Sequence, residues 1–130
     1  MRGYLVSDTA LNDSDKTISP PGNNVRLKLI RVEYTATATA GNRSLQVRFL
    51  DGDGDTFWAT TVATAFVASD VMVVNFTANA TIVVPVDNGA EGAQNISDII
   101  FNSAWSIQVI DTAAVAAAAD DMIVHTTWEG

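Results

Sequence analysis

Apolar and polar residues alternate along most of the chain, which is the pattern of β-strands that bury one of their two faces. In the segment that starts at Val25 the apolar residues lie at odd positions up to Leu29 and at even positions from Ile30 to Tyr34. A phase change of one residue within a strand indicates a β-bulge. We therefore expect a long strand with a bulge near residue 29.

A second alternating run, Leu45–Phe49, follows this strand, and the turn-forming residues Ala40–Arg43 lie between the two runs. Two such runs around a turn predict a β-hairpin. One face of the hairpin must hold all the apolar residues, so even positions of the first run must pair with odd positions of the second. This register pairs Ala36 with Leu45, Tyr34 with Val47 and Val32 with Phe49 on the buried face, and Glu33 with Arg48 and Thr35 with Gln46 on the outer face.

The predicted register gathers basic residues on or beside the outer face of the hairpin. Arg31 and Arg48 lie on this face, with Arg26 and Lys28 next to them across the bulge. We predict that these four residues dock on an acidic partner surface. The alternative is that their charges protect a sheet edge from aggregation.

Further strands complete an all-β domain. Val, Ile and Thr make up 38 of the 130 residues, and these β-branched side chains favour strands. About eight short antiparallel strands separated by turn signals predict a single β-sandwich over residues 1–130, jelly-roll-like with two four-stranded sheets. The additional strands are expected at Gly3–Ser7, Thr17–Ser19, Phe57–Val67, Val71–Ala78, Thr81–Val86, Ile99–Phe101, Trp105–Ile110 and Met122–Trp128.

Two connecting segments have distinct expectations. Asp87–Ser97 contains the sequence Gly-Ala-Glu-Gly-Ala, which predicts a long flexible loop that serves as an interaction arm. The alanine-rich segment Thr112–Asp120 predicts one or two turns of helix.

The charge of the chain is divided unevenly between its two parts. Residues 1–48 carry seven basic and four acidic residues, a net charge of +3, whereas residues 49–130 carry no Lys or Arg and eleven acidic residues, a net charge of −11. Such asymmetry indicates a charged partner surface, and the alternative is one solvated face for each part. The overall net charge of −8 disfavours binding to nucleic acid.

Composition also restricts the chemistry. The chain has no Cys, which excludes disulfides and thiolate metal sites. It has neither an apolar signal segment nor a run of about 18 apolar residues that would cross a membrane. We therefore expect a protein without membrane association that is made in the cytoplasm.

Two groups of residues are candidates for catalysis or metal binding. Asp51, Asp53 and Asp55 alternate as in the start of a calcium loop, but the expected glycine and final glutamate are replaced by Thr56 and Val62. An acidic turn is the favoured interpretation, and calcium binding stays open. The lone His125 lies in a strand pattern without a nucleophile elbow, so we expect a hydrogen-bonded strand histidine. We predict no catalytic residue, no metal, no cofactor and no enzymatic activity.

The three tryptophans have different expected environments. Trp105 is in phase with Ile107 and Val109 and is expected in the core. Trp58 and Trp128 are expected to be exposed, either as anchors in a protein interface or as a platform for a sugar ring.

Three segments resemble small β-sandwich proteins encoded in tailed bacteriophage genomes. They are Leu11–Ile18, Val25–Arg43 and Asp111–Met122, and the similarity covers the hairpin and the C-terminal part, about half of the chain. The most specific part is an Ile-Arg-Val-Glu-Tyr-Thr-Ala-Thr-Ala strand that leads to Gly-Asn-Arg. The resemblance implies a structural protein of the virion, made in the cytoplasm of the host bacterium.

From this resemblance and the charge layout we expect a capsid decoration or cement protein. It would dock on the major capsid protein or another virion protein and would form a homo-oligomer, a trimer or a dimer. The alternatives are a tail, fibre or adaptor module, and a carbohydrate-binding module for receptor recognition.

Overall fold

The alternating segments form ten strands in a computed structural model that describes residues 2–11, 15–85, 89, 91–112 and 120–130. These residues contain no helix, and therefore no helix that could cross a membrane. The strands are Gly3–Asp8 (β1), Lys16–Ile18 (β2), Val25–Thr35 (β3), Leu45–Leu50 (β4), Thr56–Thr61 (β5), Val71–Thr77 (β6), Glu91–Asn95 (β7), Ile100–Phe101 (β8), Ser106–Asp111 (β9) and Asp121–Glu129 (β10).

The strand order is that of a jelly roll. One sheet has the order β1-β10-β3-β6-β7, with β8 also paired to β3, and the other has the order β2-β9-β4-β5. Without the two added strands β7 and β8, each sheet has four strands, and the chain alternates between the sheets in the manner of a jelly roll. The all-β, jelly-roll-like prediction is confirmed, with six strands rather than four in one sheet.

The predicted hairpin is wrong. Strand β3 pairs with β10 and β6, whereas β4 pairs with β9 and β5 in the other sheet, so residues 36–44 cross between the sheets. The expected neighbours Tyr34 and Val47 are both buried, but they lie on opposite layers of the sandwich. Alternation identifies a buried face, but it does not tell whether two such faces lie side by side or face each other.

The outer-face pairs of the predicted register are wrong for the same reason. Glu33 lies opposite Ile123 and Val73 in the six-stranded sheet. Arg48 lies opposite Gln108 and Ala59 in the four-stranded sheet. The two sheets therefore place Glu33 and Arg48 on opposite outer faces of the molecule.

The β-bulge is confirmed. Thr127 lies opposite Leu29 but Trp128 lies opposite Leu27, so the register shifts and Lys28 has no partner residue on β10. The bulge allows Leu27 and Ile30 both to reach the core although they differ by an odd number of positions.

The segment after β6 departs from the prediction. In the described part of Thr81–Val86 only Val83 pairs with a strand, at Ala93. The predicted loop Asp87–Ser97 contains β7, which runs parallel to β6. The prediction of a flexible interaction arm is therefore wrong for the five residues of β7. A Cβ atom at Gly92 would lie 2.7 Å from Pro85 Cδ, which shows why glycine is required where residues 83–85 cross β7.

Two further expectations concern strand ends and a helix. Strand β5 ends at Thr61, and of the remaining predicted strand residues up to Val67 only Phe66 forms a bridge, to Arg43.

The predicted helical turns fall mainly on residues 113–119, which lie outside the described residues.

Candidate functional site

The outer face of the six-stranded sheet carries three of the four predicted docking cations, and each is paired with an acid of this chain. Arg26 contacts Asp98, Lys28 Nζ lies 3.8 Å from Glu129 Oε2, and Arg31 Nη1 lies 3.0 Å from Glu91 Oε1. All three acids come from the acidic part of the chain after residue 48. Much of the charge asymmetry of the sequence is therefore balanced within the molecule.

A row of polar side chains continues from Arg31 along this face. Asn75 Nδ2 donates a hydrogen bond to Glu91 Oε1 at 2.6 Å and Asn75 Oδ1 accepts one from Arg31 at 3.1 Å. The hydrogen bond from Asn75, followed by that from Arg31, lowers the pKa of Glu91 below its ordinary value. The face is thus an internally paired, solvated surface rather than a free basic patch.

His125 belongs to the same face. Its Nδ1 lies 2.8 Å from Ser7 Oγ and its Nε2 lies 3.9 Å from Glu33 Oε2. Serine, histidine and a carboxylate are the residue types of a hydrolase triad, but these lie on an open sheet face, outside both cavities described below. The interpretation of His125 as a hydrogen-bonded strand residue is confirmed.

A buried ion pair, which the sequence analysis missed, lies between the crossover 36–44 and the start of β10. Arg43 and Asp120 are both fully buried, and Arg43 Nε donates to Asp120 Oδ2 at 3.0 Å. Arg43 Nη1 donates to the carbonyl oxygens of Thr39 and Gly41 at 2.8 and 2.7 Å. No local pattern marks this pair, because its members are 77 positions apart.

Hydrogen bonds set the ionisation of this pair. Burial by itself raises the pKa of Asp120, but hydrogen bonds from Arg43, Thr37 and Tyr34 outweigh burial and hold that pKa well below its ordinary value. The same hydrogen bond from Arg43 to Asp120 raises the pKa of Arg43. Both side chains are therefore charged inside the protein.

The outer face of the four-stranded sheet is different, and we call it the Arg48 face. Arg48 is its only charged side chain and forms no ion pair with any described residue. Its Nε donates a hydrogen bond to Gln46 Oε1. The outward strand residues of this face are Thr17, Gln46, Arg48, Leu50, Thr56, Ala59, Thr61, Ser106, Gln108 and Ile110.

Six aromatic side chains form one cluster at the end of the sandwich next to this face. The cluster connects Phe49, Phe57, Trp58, Phe101, Trp105 and Trp128. Phe57 is 43% exposed, and its ring centre lies 5.0 Å from that of Trp105. The cluster thus extends from the core to the surface.

The predicted exposure of the tryptophans is wrong for Trp128 and holds only in part for Trp58. Trp128 is 1% exposed and its Nε1 donates to Thr126 Oγ1 at 2.8 Å. It faces inwards because β10 alternates without interruption and Trp128 is in phase with the buried Met122 and Val124. Trp58 is half-buried with its ring centre 4.6 Å from that of Phe49. Because its side chain is buried, Trp128 cannot contact a docking partner.

The acidic loop after β4 is held by its own backbone. Asp51 Oδ1 accepts hydrogen bonds from the N–H groups of Asp53 and Asp55 at 2.9 and 3.0 Å. Carboxylate oxygens of the three residues lie within 4.8 Å of one another. These hydrogen bonds are those of an acidic turn, and calcium binding stays an open question for this loop.

Two open cavities adjoin each other at the end of the six-stranded sheet where β10 ends. The first has a volume of about 420 Å³ and is lined by Gly3, Tyr4, Leu5, Lys28, Thr127, Trp128 and Glu129. The second, of about 320 Å³, is lined by Asn24, Arg26, Ile100, Glu129 and Gly130. Glu129 lines both cavities, and in the first its carboxylate pairs with Lys28.

Comparisons with known proteins give only distant likenesses. No protein-family model and no curated protein matches the chain. Among solved structures, 98% of the chain overlaps 31% of a chain in the T13 viral particle of infectious bursal disease virus, with 10% identity and a TM-score of 0.47. It also overlaps 75% of a chain in tomato aspermy virus, with 12% identity and a TM-score of 0.39.

These similarities carry no functional argument. The chain spans about a third of the infectious bursal disease virus chain, and both TM-scores lie below 0.5. The strand order within the molecule, rather than these overlaps, establishes the jelly roll. Jelly rolls occur in viral capsid proteins, lectins and cupins, so the fold does not by itself identify the function.

Proposed function

We propose that this chain is a structural protein of a tailed-bacteriophage virion, a decoration or cement subunit that docks on the capsid shell through the Arg48 face. The observation that carries the proposal is the contrast between the two outer sheet faces. On one face Arg26, Lys28 and Arg31 each pair with an acid of this chain. On the other, a single arginine lies among uncharged side chains and pairs with no acid in the described part of the chain.

The composition of the Arg48 face is that of an interface core. Such cores contain few Lys, Asp and Glu residues and are enriched in Arg and aromatic side chains. Arg48 lies in the row Thr17, Gln108, Arg48 and Ala59. The exposed Phe57 belongs to the aromatic cluster at the end of the sandwich next to this face. Arginine and aromatic side chains of this kind often contribute most of the binding energy.

Charge complementarity favours an acidic group on the partner opposite Arg48. Because the guanidinium has no acid partner among the described residues, a carboxylate on the shell can bind it without breaking an existing pair. Arg26, Lys28 and Arg31 would each have to exchange an intramolecular pair for a new one. The docking proposal is therefore kept for Arg48. Trp58 lies opposite the buried Phe49 and packs against the core, so it is not part of the Arg48 face.

The sequence resemblance to phage β-sandwich proteins supports the location in the virion. A shell repeats the same docking site many times, so modest contacts by each copy can stabilise the whole particle. The partner is then the major capsid protein or another virion protein.

The proposal is tested on the phage particle whose genome encodes this chain, by measuring whether the particle contains the protein and where. Cryo-EM should find the protein on the shell, with the Arg48 face against the capsid protein. Arg48→Glu should remove the protein from particles, whereas the matched change Arg31→Glu on the opposite face should leave its occupancy unchanged. Absence of the wild-type protein from purified particles, or equal occupancy of the two variants, would overturn the proposal.

The same map decides the alternatives. Density at the tail, fibre or a connector would assign the chain to those structures instead of the shell. The carbohydrate-binding alternative is weakened because its expected platform required both Trp58 and Trp128 at the surface, and Trp128 lies in the core.

A further inference from the structure

Strand β1 forms an edge of the six-stranded sheet, and the hydrogen bonds at its start show which backbone groups face outwards. Arg2 and Gly130 exchange hydrogen bonds, with N···O distances of 3.3 and 2.9 Å, so the backbone groups of Arg2 point towards β10. In an antiparallel pair this direction alternates from residue to residue. The N–H and C=O groups of Gly3, Leu5 and Ser7 therefore point to the free side of β1.

This edge lacks the protection that the other sheet edges have. The β7 edge is covered at Ala93, which exchanges two hydrogen bonds of 2.9 Å with Val83. Strand β2 has only three residues, and on β5 the side chain of Gln94 donates to the Thr61 carbonyl. Strand β1 has no Lys, Arg, Glu or Pro from Gly3 to Ser7, although such residues commonly prevent edge pairing.

We propose that β1 pairs antiparallel with β1 of a second copy of this chain about a twofold axis at Leu5. Leu5 then lies opposite Leu5, and Gly3 opposite Ser7, and each of these pairs exchanges both backbone hydrogen bonds. A twofold interface must be self-complementary, and this register meets that condition because each pair occurs twice, once in each direction. The result is one continuous sheet through both copies.

The register also matches opposite charges at both ends of the paired strands. Arg2 of each copy lies opposite Asp8 of the other. Arg2 is exposed and forms no ion pair with a described residue. Asp8 Oδ1 accepts hydrogen bonds from Lys16 and from the N–H group of Ala10, whereas Oδ2 accepts none from a described residue and can bind the second copy's guanidinium.

Side-chain packing also favours a second copy of this chain as the partner of β1. Leu5 is 69% exposed, and the 420 Å³ cavity lies beside it on the same face. Gly3 leaves this space open, since a Cβ atom there would meet only the Trp128 carbonyl oxygen, at 3.8 Å. In the dimer the exposed leucine of each copy lies next to the cavity of the other and removes apolar surface from water.

The dimer does not depend on the proposed function. It uses the edge of the six-stranded sheet and leaves the Arg48 face of the other sheet free. Failure of capsid docking would therefore leave the pairing intact, and a monomeric chain could still dock.

Sedimentation of the full chain tests the association. The wild type should sediment at twice 13.8 kDa, and Leu5→Lys, which places two like charges opposite each other, should be monomeric. Leu11→Lys is the matched control, because Leu11 is 64% exposed but lies outside β1, and this variant should stay dimeric. Leu5→Pro removes only an outward N–H group and should also be monomeric and folded.

Cysteine cross-linking tests the register, since the chain has no other cysteine. In a hydrogen-bonded antiparallel pair the Cα atoms are about 5.5 Å apart, within disulfide range, so Leu5→Cys should oxidise to a covalent dimer. Ser7→Cys faces Gly3 of the other copy and should not cross-link. A monomeric wild type, a dimer that survives both Leu5→Lys and Leu5→Pro, or cross-linking by Ser7→Cys in place of Leu5→Cys would overturn the proposal.

Discussion

Arg43 shows how a single residue can fix a crossover of this fold. Its guanidinium is removed from water, which costs several kcal/mol unless hydrogen bonds and an opposite charge compensate. Asp120 supplies the charge and accepts hydrogen bonds from Nε and Nη2 of Arg43. The carbonyl oxygens of Thr39 and Gly41 accept from Nη1, and Thr37 Oγ1 accepts from Nη2. The pair thereby connects the segment that joins the two sheets to the residue that precedes β10.

Removing one member of this pair should be strongly destabilising. We expect Arg43→Ala to lower the free energy of unfolding by about 3–5 kcal/mol, because Asp120 is left as a buried charge without its partner. Urea denaturation measures the loss. Arg48→Ala is the control, since its partly exposed side chain pairs with no acid that the structure describes and should change stability by no more than about 0.5 kcal/mol. Equal losses in the two variants would contradict this account of the pair.

The lowered pKa of Asp120 predicts acid sensitivity. A carboxyl group whose pKa is lower in the folded state than its unfolded value of about 3.9 stabilises the protein above that pH. This contribution is lost as the pH falls from about 5 towards the folded pKa. Denaturation midpoints between about pH 5 and pH 2 should therefore fall steeply in the wild type and less steeply in Asp120→Asn. Identical slopes would show that another group governs the acid response.

At the scale of strands, alternation predicts burial well and pairing poorly. The residues assigned to the inner face of the expected hairpin, including Tyr34 and Phe49, are all buried, and the bulge before Ile30 is present. The hairpin prediction is wrong because two strands show the same alternation whether they pair side by side in one sheet or face each other from two sheets. Strand β7, with the sequence Glu-Gly-Ala-Gln-Asn, has little strand propensity and is formed by its contacts with β6 and with residues 83–85.

An engineered disulfide separates the jelly roll from the hairpin. Ser7 and His125 form a non-hydrogen-bonded pair of β1 and β10, where Cα atoms are about 4.5 Å apart. Ser7→Cys with His125→Cys should form a disulfide, and closing a loop of 118 residues should stabilise the protein by up to about 5 kcal/mol. Thiol titration and denaturation measure both effects.

Glu33→Cys with Arg48→Cys is the control for this disulfide, because the hairpin register would place these residues opposite each other. The structure separates them onto the two outer faces, so both thiols should stay free. If the control formed a disulfide and the first variant did not, the result would support the hairpin register over the jelly roll.

Across the whole molecule, folding brings the basic and acidic parts of the sequence together. Arg26 and Asp98 are 72 positions apart, and Arg31 and Glu91 are 60 positions apart. Their pairing follows from the strand order and is invisible to local patterns. The charge layout was interpreted as a sign of a charged partner surface, but Arg26, Lys28 and Arg31 pair with acids of the same chain. A partner surface for Arg48 stays a prediction.

The aromatic cluster joins the core to the proposed docking surface, and two of its phenylalanines should separate these roles. Phe49 is fully buried between the sheets, with its ring centre 4.9 Å from that of Phe101 on the opposite sheet. Phe49→Ala should therefore cost about 3–5 kcal/mol in the free energy of unfolding. Phe57 is 43% exposed at the end of the sandwich next to the Arg48 face, so Phe57→Ala should cost clearly less in stability but lower the occupancy of the protein on particles.

Denaturation and particle binding, measured on both variants, check this division. An exposed aromatic side chain at an interface is desolvated only when the partner binds, so its loss appears in occupancy rather than in the unfolding midpoint. Phe57→Ala with wild-type occupancy would exclude this end of the sandwich from the docking surface. Phe49→Ala with a wild-type midpoint would contradict the packing of the two sheets at this ring.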